Sequence, residues 1–215
     1  MPRLVVREPE VPWWLGSLEG AVPMPGPLGL TRQQAARAFM ELFGPARGKV
    51  PYWLKAALRK VPKRTLRRIR VIQSAAAFPR MVREEEPRGV TAFMLPKGSY
   101  REWPKETREA LKELVPALRK GAMIGLGGRP TPNELFHEIA HQTYEDLPHV
   151  LKRYLESSYQ RTSPALRRYL ERATGVALYD PSEMFAEGAA RYLERHPVFE
   201  WWPKSFRKVI RKVHE

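Results

Sequence analysis

Cysteine is absent from the 215 residues. The chain therefore has no disulfide framework and no thiolate metal site, and any metal must be held by nitrogen and oxygen. No apolar run approaches the roughly 18 residues of a membrane-spanning helix, so no membrane span is expected. The opening residues, Met1-Pro2-Arg3-Leu4-Val5-Val6-Arg7-Glu8, lack the apolar stretch of a Sec signal peptide. An intracellular or virion-associated setting is the expectation. Aspartate occurs twice, glutamine five times, and arginine outnumbers lysine 26 to 12, a balance that fits a thermophilic or GC-rich source.

Negative charge is in short supply. The formal balance is +15, with a pI near 10.3. Between residues 55 and 70 there are eight cations and no acid, among them Lys60, Lys63, Arg64, Arg67 and Arg68. The C-terminal segment adds Lys204, Arg207, Lys208, Arg211 and Lys212, interleaved with Phe206, Val209, Ile210 and Val213. These are candidate contacts for nucleic acid or another polyanion, which bind such patches through counterion release. A basic but unengaged surface is the competing reading. No helix-turn-helix, zinc-finger or RNA-binding signature is visible.

Hydrophobic periodicity divides the chain into a Pro/Gly-rich arm (1–30), a helical basic segment (31–70), a mixed region (71–198) and a basic amphipathic C-terminal helix (199–215). Extended segments are expected over 69–78, 90–95 and 122–127, with a charged helix at 105–120 between the last two. Helices follow near 149–157, 164–173, 181–195 and 203–213. The fold class is α+β, mostly helical.

One segment carries specific chemistry: His137-Glu138-Ile139-Ala140-His141. Two histidines four apart on a helix share a face and can share a zinc ion, and the glutamate between them can take a proton from a metal-held water. The helix itself is signalled. Thr131 is an N-cap, Pro132 suits the first helical position, and Glu134 completes a capping box. The helix should end near Asp146, ahead of Leu147-Pro148. Two core histidines that bond locally are the competing reading.

Zinc needs a third protein ligand. A metzincin would place Gly and His where this chain has Tyr144 and Leu147, which excludes that class. His149, just past the helix stop, has no support. Downstream, Asp180 can cap a helix opened by Pro181, with Glu183 and Glu187 one turn apart on one face. Like charges at this spacing repel unless something positive lies between them. The rival for Glu183 is a capping box with Asp180. The rival for Glu187 is a solvated face with Arg191 one turn on.

HEIAH followed by the helical Glu183-Met184-Phe185-Ala186-Glu187 resembles the zincin metallopeptidases related to anthrax lethal factor and the bacterial Pro-Pro endopeptidases, over roughly residues 88 to 195. The resemblance implies a zincin-like catalytic domain (71–198) with a small sheet above the active-site helix. It implies His137, His141 and Glu183 as zinc ligands, Glu138 as general base, Glu187 in support, and a protein or peptide substrate. In zincins an edge strand pairs with extended substrate; residues 90–95 or 122–127 are the candidates. The family tyrosine about seven residues before the ligand glutamate is missing, because position 176 is Val. Tyr179 is a candidate for its oxyanion role and equally for a packing role, with Tyr144 and Tyr192 as weaker substitutes. The chain also resembles the ImmA/IrrE-type repressor-cleaving peptidases in its HEIAH string, but lacks their downstream E-x-x-A-N-x-F-A pattern. A basic nucleic-acid-associated or virion protein with a structural or inactive zinc site is the alternative from another class.

Overall fold

The structure, a computed structural model, describes residues 29–43, 50–74, 92–127 and 131–215. The arm expected over 1–30 lies outside these except for its last two residues, as do the end of the extended segment expected over 69–78 and the first residues of the strand expected over 90–95.

Proline sets most helix starts. It stands just before α2 (Tyr52–Lys60), α3 (Lys63–Arg68), α4 (Lys105–Ala110), α7 (His149–Arg161) and α10 (Lys204–His214). It occupies the first helical position of α6 (Pro132–Glu145), α8 (Pro164–Thr174) and α9 (Pro181–Leu193). Its fixed φ is helix-compatible there and its missing N–H costs nothing in the first turn. The other helices are α1 (Arg32–Phe43) and α5 (Val115–Lys120).

One expectation needs correction. The helix expected over 105–120 is broken into α4 and α5. Pro116 cannot donate to a carbonyl one turn back, and its ring crowds that carbonyl. The chain turns instead through Leu111–Leu114, where Leu114 N–H bonds Leu111 C=O at 2.9 Å. Leu111, Leu114 and Leu118 are nonetheless all buried together. The basic stretch after Pro62 is helical, as expected of residues 31–70: it forms α3, which runs directly into β1 (Ile69–Ser74).

Three strands form one sheet in the order β1–β3–β2, with β3 (Ala122–Leu126) in the centre and β2 (Ala92–Leu95) outside. β1 is parallel to β3 and β2 is antiparallel to it. Every residue of β3 is buried, which accounts for its unbroken apolar run. Gly125 is required there because a Cβ would lie 2.5 Å from the Phe93 ring on β2. The molecule is α+β and mostly helical, with this one small sheet among the described residues.

α6 and α9 pack against each other along their lengths. Leu135, Phe136 and Ile139 of α6, with Ala190 and Leu193 of α9, join a core that includes Phe39, Leu54, Leu66, Ile69 and Ile124. Ala140 and Tyr144, with Met184, Phe185, Ala186 and Ala189, join a second core that includes Leu155, Leu170, Trp202, Phe206 and Ile210. The helix pair is thus rooted in both cores. On α9, Gly188 leaves room for the Trp202 indole, whose Nε1–H donates to the Met184 carbonyl at 2.8 Å.

Candidate metal centre

The HExxH helix begins as its local chemistry dictates. The Thr131 hydroxyl accepts the Glu134 N–H at 3.3 Å and the Glu134 carboxylate accepts the Thr131 N–H at 2.5 Å, which closes the capping box. His137 and Glu138 are buried, and His141 nearly so. α9 begins with Asp180, whose carboxylate accepts the N–H groups of Ser182 and Glu183 at 2.6 and 2.9 Å. Asp180 thereby caps the helix alone, and the Glu183 side chain turns to the histidines instead of closing a second capping box.

His137, His141 and Glu183 converge. His137 Nε2 and His141 Nε2 are 3.1 Å apart, His137 Nε2 and Glu183 Oε2 3.2 Å, and His141 Nε2 and Glu183 Oε1 3.4 Å. A tetrahedral zinc site with legs of 2.0–2.1 Å has ligand–ligand edges of about 3.3 Å. The donor set, two imidazoles and a carboxylate, is one that zinc takes at catalytic sites. Among the described residues this is the group of three that could hold a metal ion.

Each imidazole is oriented through its other nitrogen. His137 Nδ1 lies 3.0 Å from Glu187 Oε2, and His141 Nδ1 lies 3.0 Å from Ser182 Oγ. With Nδ1–H donating in each case, both Nε2 lone pairs face the shared centre, as metal-ligating histidines require. Glu187 is fully buried and its second oxygen accepts Arg191 Nε at 2.6 Å. Arg191 is fixed in turn by donating to the Thr174 carbonyl at 3.2 Å. The solvated-face reading of Glu187 and Arg191 therefore does not apply.

The electrostatics describe a site built around one positive charge. Burial opposes a charge on His137, but hydrogen bonds to Glu183 and Glu187 override it and raise its pKa to about 10. Burial, reinforced by the charge on His137, lowers His141 to about 4. Burial also acts to raise Glu183, yet the hydrogen bond from His137 and the charges of both histidines hold its carboxyl below the usual range.

The other expected residues fall as follows. Glu138 sits beside His137, where its charge acts on that ring. Tyr179 is 68% exposed and its hydroxyl donates to Glu183 Oε1 at 3.1 Å. Tyr144 is buried, packed on Phe185 with ring centroids 5.6 Å apart. Tyr192 packs on Phe199 under the Lys60 ammonium. His149 is exposed and accepts Arg153 Nε at 2.8 Å, apart from the cluster. Among the candidate polyanion contacts, Arg68 pairs with Asp146 at 2.7 Å, and Arg207 and Arg211 both pair with Glu200. Lys63, Arg64, Arg67, Lys204, Lys208 and Lys212 are exposed and carry no ion pair among the described residues. Ser182 was not singled out in the sequence, because a serine in the first turn of a helix carries no signal beyond its helix start.

The chain matches no protein-family model, no curated protein and no solved structure.

Proposed function

We propose that this chain is a zinc-dependent endopeptidase with a zincin-like site of the two-histidine, one-glutamate kind. The observation that carries the reading is the trio of Nε2, Nε2 and carboxylate oxygens at 3.1, 3.2 and 3.4 Å, with both Nδ1 atoms already engaged. His137, His141 and Glu183 would hold the ion. Zinc bound there would polarise a scissile carbonyl and lower the pKa of a water to about 7.

The protein's own groups do the rest. Glu138 takes the proton of the attacking water and delivers it to the leaving amine. Glu187 and Ser182 keep the imidazole rings aimed. Tyr179, on the exposed rim and bonded to Glu183, is within the site's surroundings and serves the developing oxyanion once that bond is exchanged for one to substrate. β2 is the outer antiparallel strand and packs against α6. Its outer edge is the place for an extended peptide to add by backbone hydrogen bonds; β3, as the central strand, is not.

The test is metal content followed by cleavage of a quenched-fluorescence peptide library. Wild type should carry one zinc per chain and cleave. His141→Ala and Glu183→Ala should lose metal, whereas Glu138→Ala should keep metal and lose cleavage. Full zinc affinity in Glu183→Ala would sink the ligand assignment. Zinc retention with no cleavage in wild type would favour a structural site.

A further inference from the structure

At the far end of the α6–α9 pair from His141 and Glu183, a cleft of about 360 Å³ opens between α2 and the end of α9. Its walls include Tyr52 and Trp53, 79% and 47% exposed, together with Lys60 and Arg195. Phe136 and Glu194 line it as well. From Glu183 to Glu194 α9 rises roughly 16 Å, so the cleft is separate from the metal centre.

Three features point to a ligand. The first is composition: two neighbouring aromatic side chains stand open to solvent beside two cations. The second is continuity. The Lys60 ammonium lies 4.5 Å from the Tyr192 ring, Tyr192 packs on Phe199, and Arg211 sits over Phe199. The buried His214 ring donates to the Lys60 carbonyl at 3.3 Å. The two basic segments, 154 residues apart at this contact, therefore meet at Lys60, which also lines the cleft. The third is the end of α9. Arg195 has φ +59° at the residue that follows the last turn of α9, where His196 N–H bonds the Arg191 carbonyl at 2.8 Å. The matching end of α8 uses Gly175 at φ +75°. Arg195 thus closes α9 in the left-handed conformation that glycine more often takes, and its exposed side chain lines the cleft.

We infer that this cleft binds single-stranded nucleic acid, with bases stacked on Trp53 and Tyr52 and backbone phosphates on Lys60 and Arg195. Flat aromatic faces beside cations suit every base and any backbone. An acidic peptide would use the cations but not the rings. Glu194 can accept a base amino group.

The experiment is fluorescence anisotropy of the full chain with labelled oligothymidylate across a salt series. Wild type should bind with affinity that falls as salt rises. Trp53→Ala should weaken binding about 5-fold or more with the salt slope unchanged, because stacking is not ionic. Lys60→Gln and Arg195→Gly should each flatten the log–log slope by about 0.7. Arg195→Gly relieves backbone strain, so loss of binding there is not loss of fold. Glu183→Ala should bind like wild type, which keeps this site distinct from the metal centre. Preference for duplex, equal competition by polyglutamate, or wild-type binding by Trp53→Ala and Arg195→Gly would each overturn the inference.

Discussion

His137 Nδ1 and Glu187 Oε2 lie 3.0 Å apart across two packed helices, and Glu187 is sealed from water on its far side by Arg191. The pair is a lever on the metal site that does not touch the ligand-binding nitrogen. Glu187→Gln should lower zinc affinity 10–100-fold, the usual effect of losing a carboxylate behind a ligating imidazole. Chelator competition measures it. Arg191→Met should be worse for stability, by about 3–5 kcal/mol, because it leaves a buried carboxylate without its cation. In the Glu187→Gln background the same Arg191→Met change should cost much less, and urea denaturation of the cycle shows whether it does.

Ser182 supports the other ring. Ser182→Ala removes the acceptor for His141 Nδ1–H and leaves that ring free to turn. Zinc affinity should fall about 10-fold, with thermal stability of the metal-free protein nearly unchanged. Equal affinity in Ser182→Ala would show that packing alone orients His141.

Gly188 reverses an ordinary rule. Alanine is favoured over glycine inside a helix by about 1 kcal/mol. Here the added Cβ would stand 2.5 Å from Trp202 Nε1, displacing the indole and breaking its bond to the Met184 carbonyl. Gly188→Ala should therefore destabilise by about 1–3 kcal/mol, read as a shift in the denaturation midpoint.

His214 gives the fold an acid limit. Burial lowers its pKa from 6.5 to about 4. The unfolded chain takes up a proton near pH 6.5 that the folded chain refuses until near pH 4. The stability is complete above pH 6.5 and is lost as pH falls through that window, at about 1.4 kcal/mol per unit for one proton. His214→Leu should remove one proton's share of the slope between pH 6.5 and 4, leaving the share of His141, whatever it does to stability at neutral pH. An unchanged slope would place the acid sensitivity elsewhere.

What could be read from the sequence was local. Thr131 with Glu134, Asp180 with Pro181, and the i, i+4 histidines are decided within one or two helical turns, and each is found as expected. The leucine periodicity across 105–120 was misleading because burial continues through the break that Pro116 imposes. The sheet order could not be read, since β1 and β2 meet only through β3, which follows both in the chain. The approach of Glu183 to His137 depends on helix packing, not on spacing, and it was signalled only indirectly, by two like charges one turn apart and by the resemblance of the E-x-F-A-E string. Ser182 and the exposure of Trp53 left no pattern at all.

The rooting of the α6–α9 pair in both cores also has a temporal consequence. Two histidines one turn apart can capture an ion on a single nascent helix, but Glu183 and Ser182 arrive only when a loop of about 40 residues closes and both cores form. Metal captured early is therefore held loosely, and its grip tightens as the last helices dock. An ion taken up there would act in folding as a latch that closes late, and its residence time should report how complete the fold is.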